Sequence, residues 1–252
     1  MPHQKPLSCI SELCHDLENT CNVPRLDNCT NARGMKVLVK YRSVELIEKN
    51  DGRYQYYCKK MKFIKNSNRF VGERDAKQLI TSWLERVIIK HLSSSFTHDT
   101  RNILTWEELN FFNHYNRKYS EIDGLFCTSD GTLYVEVKAS LSKSSFSRGK
   151  SQINKNLNLI SIPSKNSKAA LVMADCRCFD PTFGFSKEYV ETQKAKNGIY
   201  KYIEGLTFPN SFSSSLKWIW LLNQDDVQQL AEMYGSPYTE ANSETLNLEG
   251  LQ

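Results

Sequence analysis

Apolar and polar positions alternate along this chain with two periods. Ala76, Leu79, Ile80, Trp83, Val87 and Ile88 recur at intervals of mostly three and four residues, one apolar stripe that predicts a helix opening at Gly72. Residues 36–49 and 53–64 are rich in Val, Ile and Tyr, and Asn50-Asp51-Gly52 lies between them, which predicts an N-terminal β-hairpin over 36–64. Further strands are predicted at 111–115, 119–126 and 132–138, the last two joined by a turn at Ser129-Asp130-Gly131. A helix near 151–159, an apolar strand at 169–174, a mixed stretch at 186–202, a strand at 217–222 and a closing helix over 225–233, stopped near Gly235, complete the pattern. Helices set around a mixed sheet imply an α/β or α+β domain, and the chain contains no internal repeat.

The ends read differently. Residues 1–34 are polar and rich in Cys and Asn, and read as a loosely ordered extension; 236–252 form an acidic tail, leaving 35–235 as the domain. Cys9, Cys14, Cys21 and Cys29 fall in the extension with His3 and His15 near them. Zinc and free thiols are both open there, but no Cys-x-x-Cys pair sets up a tetrahedral site.

At 252 residues the chain can bury a full core without disulfides. No apolar run approaches the ~20 residues needed to span a bilayer, and the first residues lack the apolar stretch of a secretory leader. The expectation is a soluble intracellular protein. Net charge is +5 and the isoelectric point about 8.7, a mild excess that becomes informative when mapped. Seven Lys/Arg and no acid lie between Lys138 and Lys168; taking those seven from the 33 bases leaves 26 against 28 acids. The excess is therefore local, as expected of a surface that meets a polyanion, although a solvated Lys/Ser loop would have the same composition.

Chemistry concentrates just before that basic run. Strand alternation puts Glu136 and Lys138 on one face and Val135 and Val137 on the other, so the acid and the amine project together. Asp123 belongs to the preceding strand, across a tight hairpin. Two carboxylates beside a lysine on rigid strands suit a hard divalent cation such as Mg²⁺, which takes one or two protein carboxylates and completes its shell with water or phosphate. Glu73 flanks the apolar stripe at the helix start, where a carboxylate either caps the helix or points into a site. The competing reading of Glu136 and Lys138 is an ordinary surface ion pair.

Glu-Ile-Asp-Gly-Leu-Phe at 121–126 followed by Leu-Tyr-Val-Glu-Val-Lys-Ala-Ser at 133–140 resembles the core of the PD-(D/E)xK nuclease superfamily, the restriction-endonuclease-like fold. The resemblance covers roughly 69–175, with Ile122 standing where the family name has proline. It implies an αβββαβ core, a mixed sheet flanked by helices, here preceded by the 36–64 hairpin. It also implies that Asp123 and Glu136 hold Mg²⁺ (Mn²⁺ substituting), with Glu73 as a further metal contact, Lys138 serving the attacking water and Gln152 joining the catalytic set. The implied activity is metal-dependent hydrolysis of DNA leaving a 5′-phosphate, with RNA and a homodimer left open. Lys143, Arg148, Lys150 and Lys155 are the expected phosphate contacts, and Phe146 a base-stacking candidate. The alternatives are a non-catalytic nucleic-acid-binding or assembly module on the same fold and a structural protein with a zinc- or partner-binding extension.

Overall fold

A computed structural model describes residues 41–48, 50–59, 76–112, 114–162, 164, 166–196, 199–209 and 216–239. Within them, nine strands and four longer helices make a mixed α/β fold. Strands β2 (Thr97–Asp99), β5 (Gly124–Thr128), β6 (Gly131–Lys138), β7 (Ser167–Ala174), β9 (Lys217–Leu222) and β8 (Tyr200–Glu204) form one sheet in that spatial order. The pairs β2–β5 and β5–β6 are antiparallel; β6–β7, β7–β9 and β9–β8 are parallel. A second sheet joins β1 (Tyr41–Ile47), β3 (Ile103–Leu109) and β4 (Tyr115–Glu121), all antiparallel.

The central strands of the main sheet are buried on both faces, and period two sorts their side chains. Val135, Val137, Ala170, Val172, Trp218 and Trp220 face helices α1 (Ala76–Leu92) and α4 (Gln224–Tyr234), meeting Ile80, Trp83, Leu84, Val227 and Leu230. On the other face Tyr134, Ala169, Leu171, Met173 and Ile219 meet Phe146, Ile153 and Leu157 of helix α2 (Lys143–Ile160), together with Leu104 and Trp106 of the small sheet. Helix α3 (Lys187–Ala195) packs Val190 on that same side. Near-continuous apolar runs at 169–174 and 218–222 are what a doubly covered parallel strand requires.

The two sheets share one long hairpin. Asp99 lies opposite Leu125 in the main sheet and Ile103 opposite Glu121 in the small one, four residues on along one strand and four back along the other. The register is therefore continuous, and the amide of Ile122 still donates to Asn102 O at 2.8 Å across the break. Asp123 stands in that break, where the hairpin leaves one sheet for the other.

Three expectations are corrected. The 36–64 hairpin does not form among the described residues: β1 pairs with β3, and 54–59 are helical. Asp51 accounts for the turn, since its carboxylate accepts from the Arg53 amide at 2.8 Å and bends the chain into the helical segment. Residues 111 and 112 are a turn between β3 and β4, which the side chain of Asn110 closes by accepting from the amides of Phe112 and His114, both at 2.9 Å. Helix α2 begins eight residues before the expected 151, capped by Ser142, whose hydroxyl accepts from the Ser145 amide at 3.2 Å. The strand at 217–222 and the helix stop at Gly235 stand as expected. The 1–34 extension, Glu73 and the tail from 240 lie outside the described residues.

Candidate functional site

The central strand β6 carries the chemistry. It has Val135 and Val137 in one core, so alternation turns Tyr134, Glu136 and Lys138 to the face covered by α2. Glu136 is fully buried. One carboxylate oxygen, Oε2, accepts from the Tyr134 hydroxyl, and the other, Oε1, pairs with the Lys138 ammonium. The pair is thus not a surface one: the side chain of Glu136 is 1% exposed and that of Lys138 25%. Burial, and next the charge of Glu136, hold the Tyr134 hydroxyl well above the usual phenol range, so it remains a donor.

Asp123 comes to the same place from the hairpin break. Its Oδ2 accepts from the Val137 amide at 2.8 Å, which ties the break to β6 between Glu136 and Lys138. Loss of solvent around the carboxyl pushes Asp123 well above the ordinary carboxylate range. The charges of Glu136 and then Glu85 push the same way, while Lys138 and the Val137 amide oppose them. Glu85, between the buried Leu84 and Val87 of α1, acts on Asp123 through its charge. Acids near one another in a partly dry place are the arrangement that a cation relieves.

Helix α2 closes the site from above. Asn156 is 1% exposed, and its Nδ2 donates to the Tyr134 oxygen at 2.8 Å. Its Oδ1 has no hydrogen-bond partner among the described residues. Gln152 lies four residues earlier on the same side of α2, about 6 Å nearer the helix start. The helix sits close because residue 149 is glycine: a Cβ there would lie 2.6 Å from Leu171 Cδ1.

Of the residues expected from sequence, Asp123, Glu136 and Lys138 come together, and Gln152 lies on α2 one turn before Asn156. The basic residues divide. Arg148, Gln152 and Lys155 follow one another at four and three residues and share one edge of α2, with Arg148 and Lys155 exposed and Lys155 lying 4.4 Å from the Trp106 ring centre. Lys143 and Lys150 take the opposite edge. There Lys150 donates to Gln193 Oε1 at 2.6 Å, with its ammonium shifted down by burial. Phe146 is fully buried in the core and so is not available to stack on a base.

Three members of the cluster were missed from sequence. Tyr134 carried a usable signal, since alternation puts it on the face of Glu136. Asn156 carried a weaker one, four residues after Gln152 on a mostly apolar helix face. Glu85 lies off the apolar stripe of α1 and resembles any helix-edge acid. Among the described residues no three His, Cys, Asp or Glu side chains converge on one metal position, and no helix is long and apolar enough to cross a membrane. No protein-family model, curated protein or solved structure matches the chain.

Proposed function

We propose that this protein is a divalent-metal-dependent nuclease of the restriction-endonuclease-like kind, hydrolysing phosphodiester bonds of DNA and leaving a 5′-phosphate. One observation carries the reading: Asp123 and the Glu136–Lys138 pair converge at the end of the central strand, where burial first and the neighbouring acids next raise Asp123. The order α1, β2, β5, β6, α2, β7 supports it, being an αβββαβ succession with β3 and β4 as an excursion of its first hairpin. The donor set fits Mg²⁺ or Mn²⁺, which bind through one or two carboxylates and otherwise water and phosphate oxygens. Asp123 and Glu136 would hold the ion; Glu73, the further contact expected from sequence, lies outside the described residues, and Glu85 of α1 adds negative charge near Asp123. Such an ion supplies charge neutralisation on the phosphodiester and a more acidic water.

The chain's own groups do the rest. The Lys138 ammonium stabilises negative charge developing on the phosphoryl oxygens, or holds the incoming water by a hydrogen bond. Gln152, four residues before Asn156 on α2, would offer an amide donor or acceptor to the substrate. Arg148 and Lys155, on the same edge of α2, hold the backbone on either side by phosphate contacts without reading bases. The test is a panel of supercoiled, linear, nicked, branched and single-stranded substrates, each in Mg²⁺ and in chelator, with Asp123→Asn and Glu136→Gln beside the wild type. Cleavage that needs Mg²⁺ and vanishes in both variants is expected. Binding that persists in chelator, with no cleavage of any substrate in Mg²⁺, refutes the reading in favour of a non-catalytic module.

A further inference from the structure

Both oxygens of the Glu136 carboxylate are occupied, and their partners differ in kind. Tyr134 is fully buried, and its oxygen is pinned by Asn156 Nδ2 at 2.8 Å. The opposite orientation of the Asn156 amide would point its oxygen at Tyr134 and draw the phenolic hydrogen away from Glu136. The amide instead leaves its own buried Oδ1 without a partner among the described residues. That orientation keeps the Tyr134 hydroxyl donating to Glu136. Lys138 is the opposite case: it ends β6, its side chain is a quarter exposed, and four rotatable bonds let the ammonium move to solvent.

We propose that Tyr134 and Asn156 are positioning residues that leave Lys138 as the one exchangeable partner of Glu136, so that a divalent cation entering beside Asp123 takes the Oε1 position and frees the lysine. This rests on the nuclease reading and deepens it. A doubly charged ion and an ammonium repel, and both cannot sit in contact with one carboxylate oxygen. With Oε2 locked by Tyr134, the cation has only Oε1 to take. The amine is therefore held back in the metal-free protein and released toward the substrate once the ion is bound.

The experiment reads Lys138 directly, without turnover. The full chain is acetylated briefly with an N-hydroxysuccinimide ester, with and without Ca²⁺, and labelling is quantified by peptide mass spectrometry against the exposed Lys118. Calorimetry on the same samples measures Ca²⁺ binding. In the wild type Ca²⁺ is expected to raise Lys138 labelling several-fold and leave Lys118 unchanged. In Tyr134→Phe the cation can take Oε2 instead, so the Ca²⁺ effect on Lys138 should disappear while Ca²⁺ still binds. Asn156→Ala should weaken the effect in the same direction, and decides the matter if Tyr134→Phe fails to fold. Ca²⁺ binding that leaves wild-type Lys138 labelling unchanged overturns the proposal, as does a full Ca²⁺ effect in either folded variant. A wild-type chain that takes up no Ca²⁺ and cleaves nothing in Mg²⁺ overturns the nuclease reading itself, a different result.

Discussion

Removing the Lys138 ammonium separates a buried functional pair from a surface ornament on two scales at once. In Lys138→Ala the Glu136 carboxylate keeps its burial and Tyr134 but loses the cation paired with it among the described residues. Breaking a buried ion pair from one side costs about 3–5 kcal/mol, against at most about 1 kcal/mol for an exposed pair. Because Lys138 is a quarter exposed, water can follow into part of the vacated space and solvate Oε1. The expected loss is therefore toward the low side, about 2–3 kcal/mol. Glu136→Gln removes the buried charge, so adding it to Lys138→Ala should restore stability, with a coupling of at least ~1 kcal/mol in the cycle. Urea unfolding in chelator gives all four values from midpoints at constant slope. Single-turnover cleavage in Mg²⁺ should meanwhile fall ~10²–10³-fold in Lys138→Ala, and Lys138→Arg should rescue it poorly because a planar guanidinium does not occupy the same point. If Lys138→Ala lies within about 0.5 kcal/mol of wild type and the cycle is additive, Glu136 is solvated and the buried-pair argument fails. Wild-type cleavage by the same variant would remove the lysine from the mechanism.

Reversing Arg148 and Lys155 to Glu should weaken binding equally on all DNA sequences and lower the log–log salt slope by about two units, near 0.9 per lost contact; Lys143 and Lys150 reversed together should change it far less, and equal effects would dissolve the edge on α2. Asp123→Asn should stabilise the metal-free protein at neutral pH, because Asp123 is raised in the folded state. A raised carboxyl makes wild-type stability fall as pH climbs from about 4 through the folded value, so the advantage of Asn should shrink below that range, and a gap independent of pH in urea titrations would contradict the assignment. Gly149→Ala should destabilise by about 1–3 kcal/mol although alanine is the better helix former by ~1 kcal/mol, since its Cβ would meet Leu171; a gain in melting temperature would show that α2 can retreat from the sheet. Cys176 is fully buried and its thiol is pushed far up by that burial, so iodoacetamide should leave it unmodified in the native state and label it fully in urea; native labelling would refute the packing of this segment.

What was legible in the sequence is what a period alone can encode. The two faces of β6, the run at 217–222 and the stripe from Ile80 to Ile88 follow from alternation and helical spacing, because both faces of the sheet are covered and each position has only one side to choose. The hairpin at 36–64 failed for a related reason. Local composition favoured strands on both sides of Asn50-Asp51-Gly52, but a strand is completed by whichever edge it meets, and β1 meets β3, more than fifty residues away. Depth was illegible too. Alternation shows that Glu136 and Lys138 share a face, yet it does not say whether that face is open or lies beneath a helix. The answer depends on Gly149, which lets α2 approach, and on the bend at Asp123, which folds Leu104 and Trp106 over the same side. Those two features turn a Glu-x-Lys on a strand into a buried carboxylate with one fixed and one movable partner. The same depth raises Asp123 and makes the Glu136 pair costly to break, so the site's chemistry and the stability of its surroundings are set by one packing decision.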